Sequence, residues 1–169
     1  GTFEWLVRDA FEQGYRVGIV SNSDGHKGRP GASHPGATKF GSYGGLTCML
    51  APSFTRAGFM DALKKRHHYG TTGSRVVLET RAFFDKPAEL FSDDPNLGDV
   101  QSKLASEAIM GDILRSADEE LTLRIDVHGS SPIERIDIRN GVETLEVFRP
   151  YQDADLGRRI RILWEGSEY

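Results

Sequence analysis

The sequence has a single cysteine, Cys48. One thiol excludes an intrachain disulfide and any cysteine-based zinc cluster. Long apolar runs are missing too. None approaches the ~20 residues that a membrane helix needs, so no membrane partner is expected. No signal-peptide pattern opens the sequence; a soluble protein is expected, cytoplasmic or periplasmic, with the compartment of the parent left open. Charge of one sign is scarce: 21 Lys and Arg face 25 Asp and Glu, a net −4. That balance excludes a broad nucleic-acid footprint. The charges are interspersed, as on a solvated surface. No Gly-x-Ser-x-Gly elbow, P-loop or His-Glu-x-x-His is present, and no internal repeat or low-complexity tract breaks the chain.

What remains is 169 residues with 38% hydrophobic content and 19 glycines, a loop-rich composition of one domain or two small ones. Two halves differ in periodicity. In the first, residues 2–14 read as a helix, with Leu6, Val7, Ala10 and Phe11 at helical spacing and Gly14 as its C-terminal cap. Residues 15–20 read as a strand. Residues 21–44 form a long Gly-, Ser- and Pro-rich loop of the kind that is functional or disordered. A second strand is expected at 45–51 and a second helix at 55–66. Helix, strand, loop, strand, helix is an α/β pattern.

Near Thr71-Thr72-Gly73 the period changes to two. Leu121, Leu123, Ile125 and Val127 alternate with polar residues. Ile136 and Ile138 lead into Asn140-Gly141, a hairpin signal with Leu145 and Val147 on the return strand. Ile160, Ile162 and Trp164 alternate in the same way. Residues 75–84 read as the first strand of this half, and 85–100 as an irregular surface excursion. Short strands separated by turns point to an immunoglobulin-like β-sandwich. The boundary falls between 1–73 and 74–169.

The chemistry-bearing stretch is Ser23-Asp24-Gly25-His26-Lys27-Gly28-Arg29-Pro30-Gly31, directly after the apolar run Val17-Gly18-Ile19-Val20. A carboxylate and an imidazole are good ligands for Zn, Mn or Fe. With one residue between them in a loop, Asp24 and His26 can turn toward one point. The alternative is an Asx-turn beside an exposed histidine. Arg29, with glycines on both sides at 28 and 31, can approach a phosphate, and a solvated turn arginine is the equal alternative. His34 could line the same site, although a lone loop histidine is more often solvated. Lys27 is a weaker candidate. His67 and His68 fit a helix C-terminus, where cations are favoured. Residues 69–74 read first as a domain junction, His128 as structural, and Cys48 as a buried small hydrophobe.

These residues carry a resemblance to the C-terminal part of DUF3604 family proteins, and through them to the PHP (polymerase and histidinol phosphatase) metallo-phosphoesterases. It rests on Ser23-Asp24-Gly25-His26, Gly28-Arg29-Pro30-Gly31, Gly44-Gly45-Leu46-Thr47, the run Phe59-Met60-Asp61-Ala62-Leu63-Lys64-Lys65-Arg66, and Thr71-Thr72-Gly73. The resemblance implies the end of a distorted β/α barrel over 1–73, followed by the accessory β-sandwich. It implies that Asp24 and His26 are the last metal motif, holding divalent ions, and that the substrate is a phosphate ester, which Arg29 and His34, on their own chemistry, would then contact. The earlier motifs of such barrels, His-x-His among them, are not in this chain. The expectation is therefore a piece of a larger hydrolase, inactive alone, whose partners are the missing N-terminal barrel segments or another copy of the chain. The competing expectation is a non-catalytic binding or structural module built on the sandwich.

Overall fold

The computed structural model describes residues 7–23, 25–26, 28, 43–116, 120–150 and 159–166. Among the described residues, two short helices, α1 (Val7–Glu12) and α2 (Arg56–Lys64), accompany nine strands. The strands are β1 (Leu46–Met49), β2 (His68–Thr71), β3 (Val77–Phe91), β4 (Ser102–Ile109), β5 (Ile113–Arg115), β6 (Leu121–His128), β7 (Ile136–Asn140), β8 (Glu143–Phe148) and β9 (Arg159–Gly166). The described residues are mostly β, arranged in three sheets.

The second half follows its alternation. β3 and β6 are the interior strands of the order β4-β3-β6-β9, with β5 also paired to β3, and every pairing is antiparallel. Ile125 and Val127 of β6 and Ile162 of β9 pack against Ile138 of β7, with Leu145, Phe148 and Trp164 around them. The β7–β8 hairpin is thus the second layer over one face of the sheet. Its turn is Gly141-Val142, with φ +56 at Gly141 and Asn140 opposite Glu143. A positive φ at the first central residue alone is the type II′ pattern, which favours Gly there. A second cluster of Phe84, Ala88 and Ala108 lies farther along β3 and β4.

The other face of the sheet is polar. Arg161 Nε donates to Asp126 Oδ1 at 2.6 Å, and Arg124 Nε lies 3.2 Å from Oδ2. The Arg161 hydrogen bond holds the Asp126 carboxyl below its usual value. A lowered folded-state value contributes stability above the unfolded value of about 3.9 and loses it as pH falls through the folded one. Asp126→Asn should therefore lower the melting temperature at neutral pH. The gap from wild type should narrow as pH falls below about 3.9 and on through the lowered folded-state value. A gap that stays constant across that titration would show that the ion pair contributes nothing.

The first half departs from its reading. α1 ends at Gly14, φ +80, where Gly14 N–H meets Phe11 O at 2.9 Å and Tyr15 N–H meets Ala10 O at 3.0 Å. These two bonds are those of a Schellman cap, as the glycine predicts. Residues 15–20 are not a strand: they run without a ladder, and Val17, Ile19 and Val20 are exposed. α2 does start at its Thr55 cap, whose hydroxyl accepts from Gly58 N–H. It ends earlier than expected, at Lys64, and Arg66 takes φ +60. Such a left-handed residue reverses the chain, and β2 returns antiparallel to β1. Strands in a β/α barrel run parallel. No segment of such a barrel is evident among the described residues.

Two more corrections concern His68 and residues 85–100. His68 does not end a helix. It opens β2 and is buried, as is Tyr69. The Tyr69 hydroxyl donates to Val76 O and accepts from Leu78 N–H, and burial pushes it up to about 12. The excursion is shorter than expected, because β3 runs on to Phe91.

Candidate functional site

The Asp-x-His loop leaves from a short covered sheet. Thr47 and Gly70 are direct partners in the β1–β2 pair, so they share a face with Gly45 and His68. Residues 18–22 lie on that face. Ser21 N–H donates to Thr47 Oγ1, and the Thr47 hydroxyl donates back to Ser21 O, both at 2.9 Å. His68 Nδ1 donates to Ile19 O at 2.9 Å. Two side chains thus satisfy the backbone of a segment that has no strand partner.

Glycines make this approach possible. A Cβ on Gly70 would stand 2.9 Å from Ser21 Cβ, and one on Gly45 would stand 3.0 Å from Asn22 O. A Cβ on Gly18 would meet the His68 ring at 2.6 Å. The clasp on Ser21 holds the chain three residues before Asp24. It hands the loop off beside Gly45, at the Leu46–Thr71 end of the pair.

Of the four site residues read from the sequence, His26 is described, and it is exposed. Asp24, Arg29 and His34 lie outside the described residues. The other first-half histidines are committed elsewhere. His68 serves Ile19, and His67 Nε2 sits 2.8 Å from Asp112 Oδ1. Among the described residues, no group of three or more His, Cys, Asp or Glu could hold a metal ion. Cys48 is partly buried on β1, and His128 stands at the end of β6, as read.

The loop's sheet is tied to the larger one. Arg66 Nε donates to Gly111 O at 3.2 Å, and its Nη1 reaches Asp93 Oδ1 at 3.3 Å. The Asp94 N–H and then Arg66 hold the Asp93 carboxyl below its usual value. Arg16 pairs with Asp94 at 3.0 Å. A cleft of about 690 Å³ opens between the halves, lined by Val17, Ile19, Tyr69, Leu78 and Met110 among others.

A family model described as "Protein of unknown function (DUF3604)" matches residues 22–141. The chain belongs to the DUF3604 family. No curated protein and no solved structure matches it. The DUF3604 match begins one residue past the Ser21 clasp and runs through β7 to the hairpin glycine, so it takes in both the loop and most of the large sheet. No helix among the described residues is long and apolar enough to cross a membrane. Sequence reasoning missed Thr47 and Gly70, which hold the loop's origin. The Gly45-Leu46-Thr47 run was visible, but its role depends on which face of β1 the chain crosses.

Proposed function

We propose that this DUF3604 chain is part of a metal-dependent hydrolase of the PHP type, acting on phosphate esters. Asp24 and His26 would be two ligands of a divalent Zn, Mn or Fe ion. The observation that carries this reading is the Asp-x-His spacing in a loop whose origin is pinned at Ser21 by Thr47. An Asp and a His offer the oxygen and imidazole donors that such ions take. A bound ion of this kind lowers the pKa of its water and neutralises phosphoryl charge. Arg29 and His34 would contact the phosphate. Protein metal sites of this type use three or four ligands, so the parent supplies the others. Its barrel segments would cover Val7, Phe11, Val17 and Val20, which are exposed.

Calorimetry with Zn²⁺ and with Mn²⁺ tests the reading. This chain alone should bind either ion weakly. The full-length parent should hold metal through dialysis, and Asp24→Asn or His26→Ala should remove it and cut aryl phosphate hydrolysis at least about 100-fold, more than loss of an outer-shell partner does. Tight stoichiometric zinc on the isolated chain would refute the fragment reading. A parent without metal, indifferent to both substitutions, would favour the binding-module alternative.

A further inference from the structure

The large sheet has two end strands, and they are guarded differently. Native sheets blunt an edge with bulges, Lys, Pro or inward charges, because a free row of N–H and C=O groups pairs readily with another strand. β4 carries such guards. Its register with β3 breaks between Phe83 and Ala88, and it carries Lys103. β9 has none of these breaks. It pairs with β6 over eight consecutive residues without a register shift, from Leu121↔Gly166 to His128↔Arg159. Among the described residues, nothing pairs with its far edge. It contains neither Pro nor Lys, and Leu163 is 65% exposed.

We propose that β9 is the contact of a symmetric dimer, in which two copies pair this strand antiparallel about a two-fold axis through Ile162. The sequence of β9 is self-complementary in that register. A two-fold perpendicular to the sheet sets residues of like face opposite each other. On the core face, Ile162 meets its mate and Ile160 meets Trp164. On the outer face, Arg159 meets Glu165 twice, and the stem of Arg161 lies across the exposed Leu163. The shift centred on residue 161 would set Arg161 against Arg161. The shift centred on residue 163 would set Ile160 against Gly166, with no side chain to pack on. That shift would also pair Glu165 with Arg161, which already bonds Asp126 at 2.6 Å. Arg159 and Glu165 are both exposed on β9 and are at hand for each other. The partner is therefore a second copy of this chain, joined by continuing the four-strand order into an eight-strand one.

Sedimentation velocity over a concentration series tests this with the chain as it is. Wild type should show a monomer–dimer equilibrium. Glu165→Arg should weaken the dimer roughly tenfold or more, because two symmetric cross-strand contacts turn from attraction to repulsion. The double reversal Arg159→Glu/Glu165→Arg should restore it. Both positions are exposed, and thermal melts will confirm that each variant is folded. Hydrogen exchange gives a second readout, since outer-edge amides of β9 should gain protection with concentration. Three results would each overturn the proposal: a monomer at every concentration, a dimer indifferent to Glu165→Arg, or a double reversal that fails to rescue. Full protection of those amides in a monomer would also overturn it, because the chain itself would then be covering the edge.

Discussion

Gly111→Ala is expected to cost about 3 kcal/mol, the upper end of what backbone strain costs. Gly111 sits between β4 and β5 at φ +92, and a Cβ there would stand 2.2 Å from Arg66 O and 2.9 Å from His67 N. Both atoms are backbone, so no side-chain rotation relieves the overlap. Moving them would break the contacts that join the two halves, Arg66 to Gly111 O and His67 to Asp112. The melting temperature should fall by roughly 10 °C for a chain of this size. Gly141→Ala is the control, since Gly141 also has positive φ but nothing within 4 Å of an added Cβ. Its cost should stay near 1 kcal/mol. Equal losses at the two sites would show that conformation alone, and not the junction, sets the effect.

Ile138→Ala should cost about 3 kcal/mol, as large-to-small changes in a packed core do. Ile138 is the buried residue that the β7–β8 hairpin presents to Ile125, Val127 and Ile162. Removing it leaves a void where the two layers meet. Urea denaturation followed by tryptophan emission is a suitable measurement, because Trp164 packs on the same cluster. The midpoint should drop with little change in slope. A cost below about 1 kcal/mol would mean that the hairpin is not held by this layer.

Most of the β half was legible because the apolar residues there recur with a period of two. Leu123, Ile125 and Val127 alternate with polar partners, and the same holds around Ile136 and Ile162. Elements with other determinants were not. β4 reads Ser-Lys-Leu-Ala-Ser-Glu-Ala-Ile, poor in β-branched residues. It is a strand because small Ala108 fits against Phe84 and Ala88. β3 continues past Pro87 because the register breaks there, where a missing N–H does no harm. Residues 15–20 carry strand-like composition, yet an imidazole takes the Ile19 carbonyl and a hydroxyl that of Ser21, the next residue on, in place of a ladder. Of the candidate site, the donor types and their spacing were readable. The face from which the loop departs was not, because it depends on Gly45, Thr47 and Gly70 meeting in space.

The order of the large sheet also sets how the chain must fold. Val77 pairs with His128, and Leu121 with Gly166. Each central ladder therefore closes a loop of several tens of residues before its first hydrogen bond forms. Pairings this distant are slow, in the millisecond-to-second range of sheet proteins rich in non-local contacts. The β7–β8 hairpin needs only Gly141 and Val142 to close, which takes microseconds. The cover of the core thus forms long before the sheet it covers. A hairpin alone is marginally stable in water, so Ile136 and Ile138 find lasting cover only when the slower ladders of the sheet close beneath them.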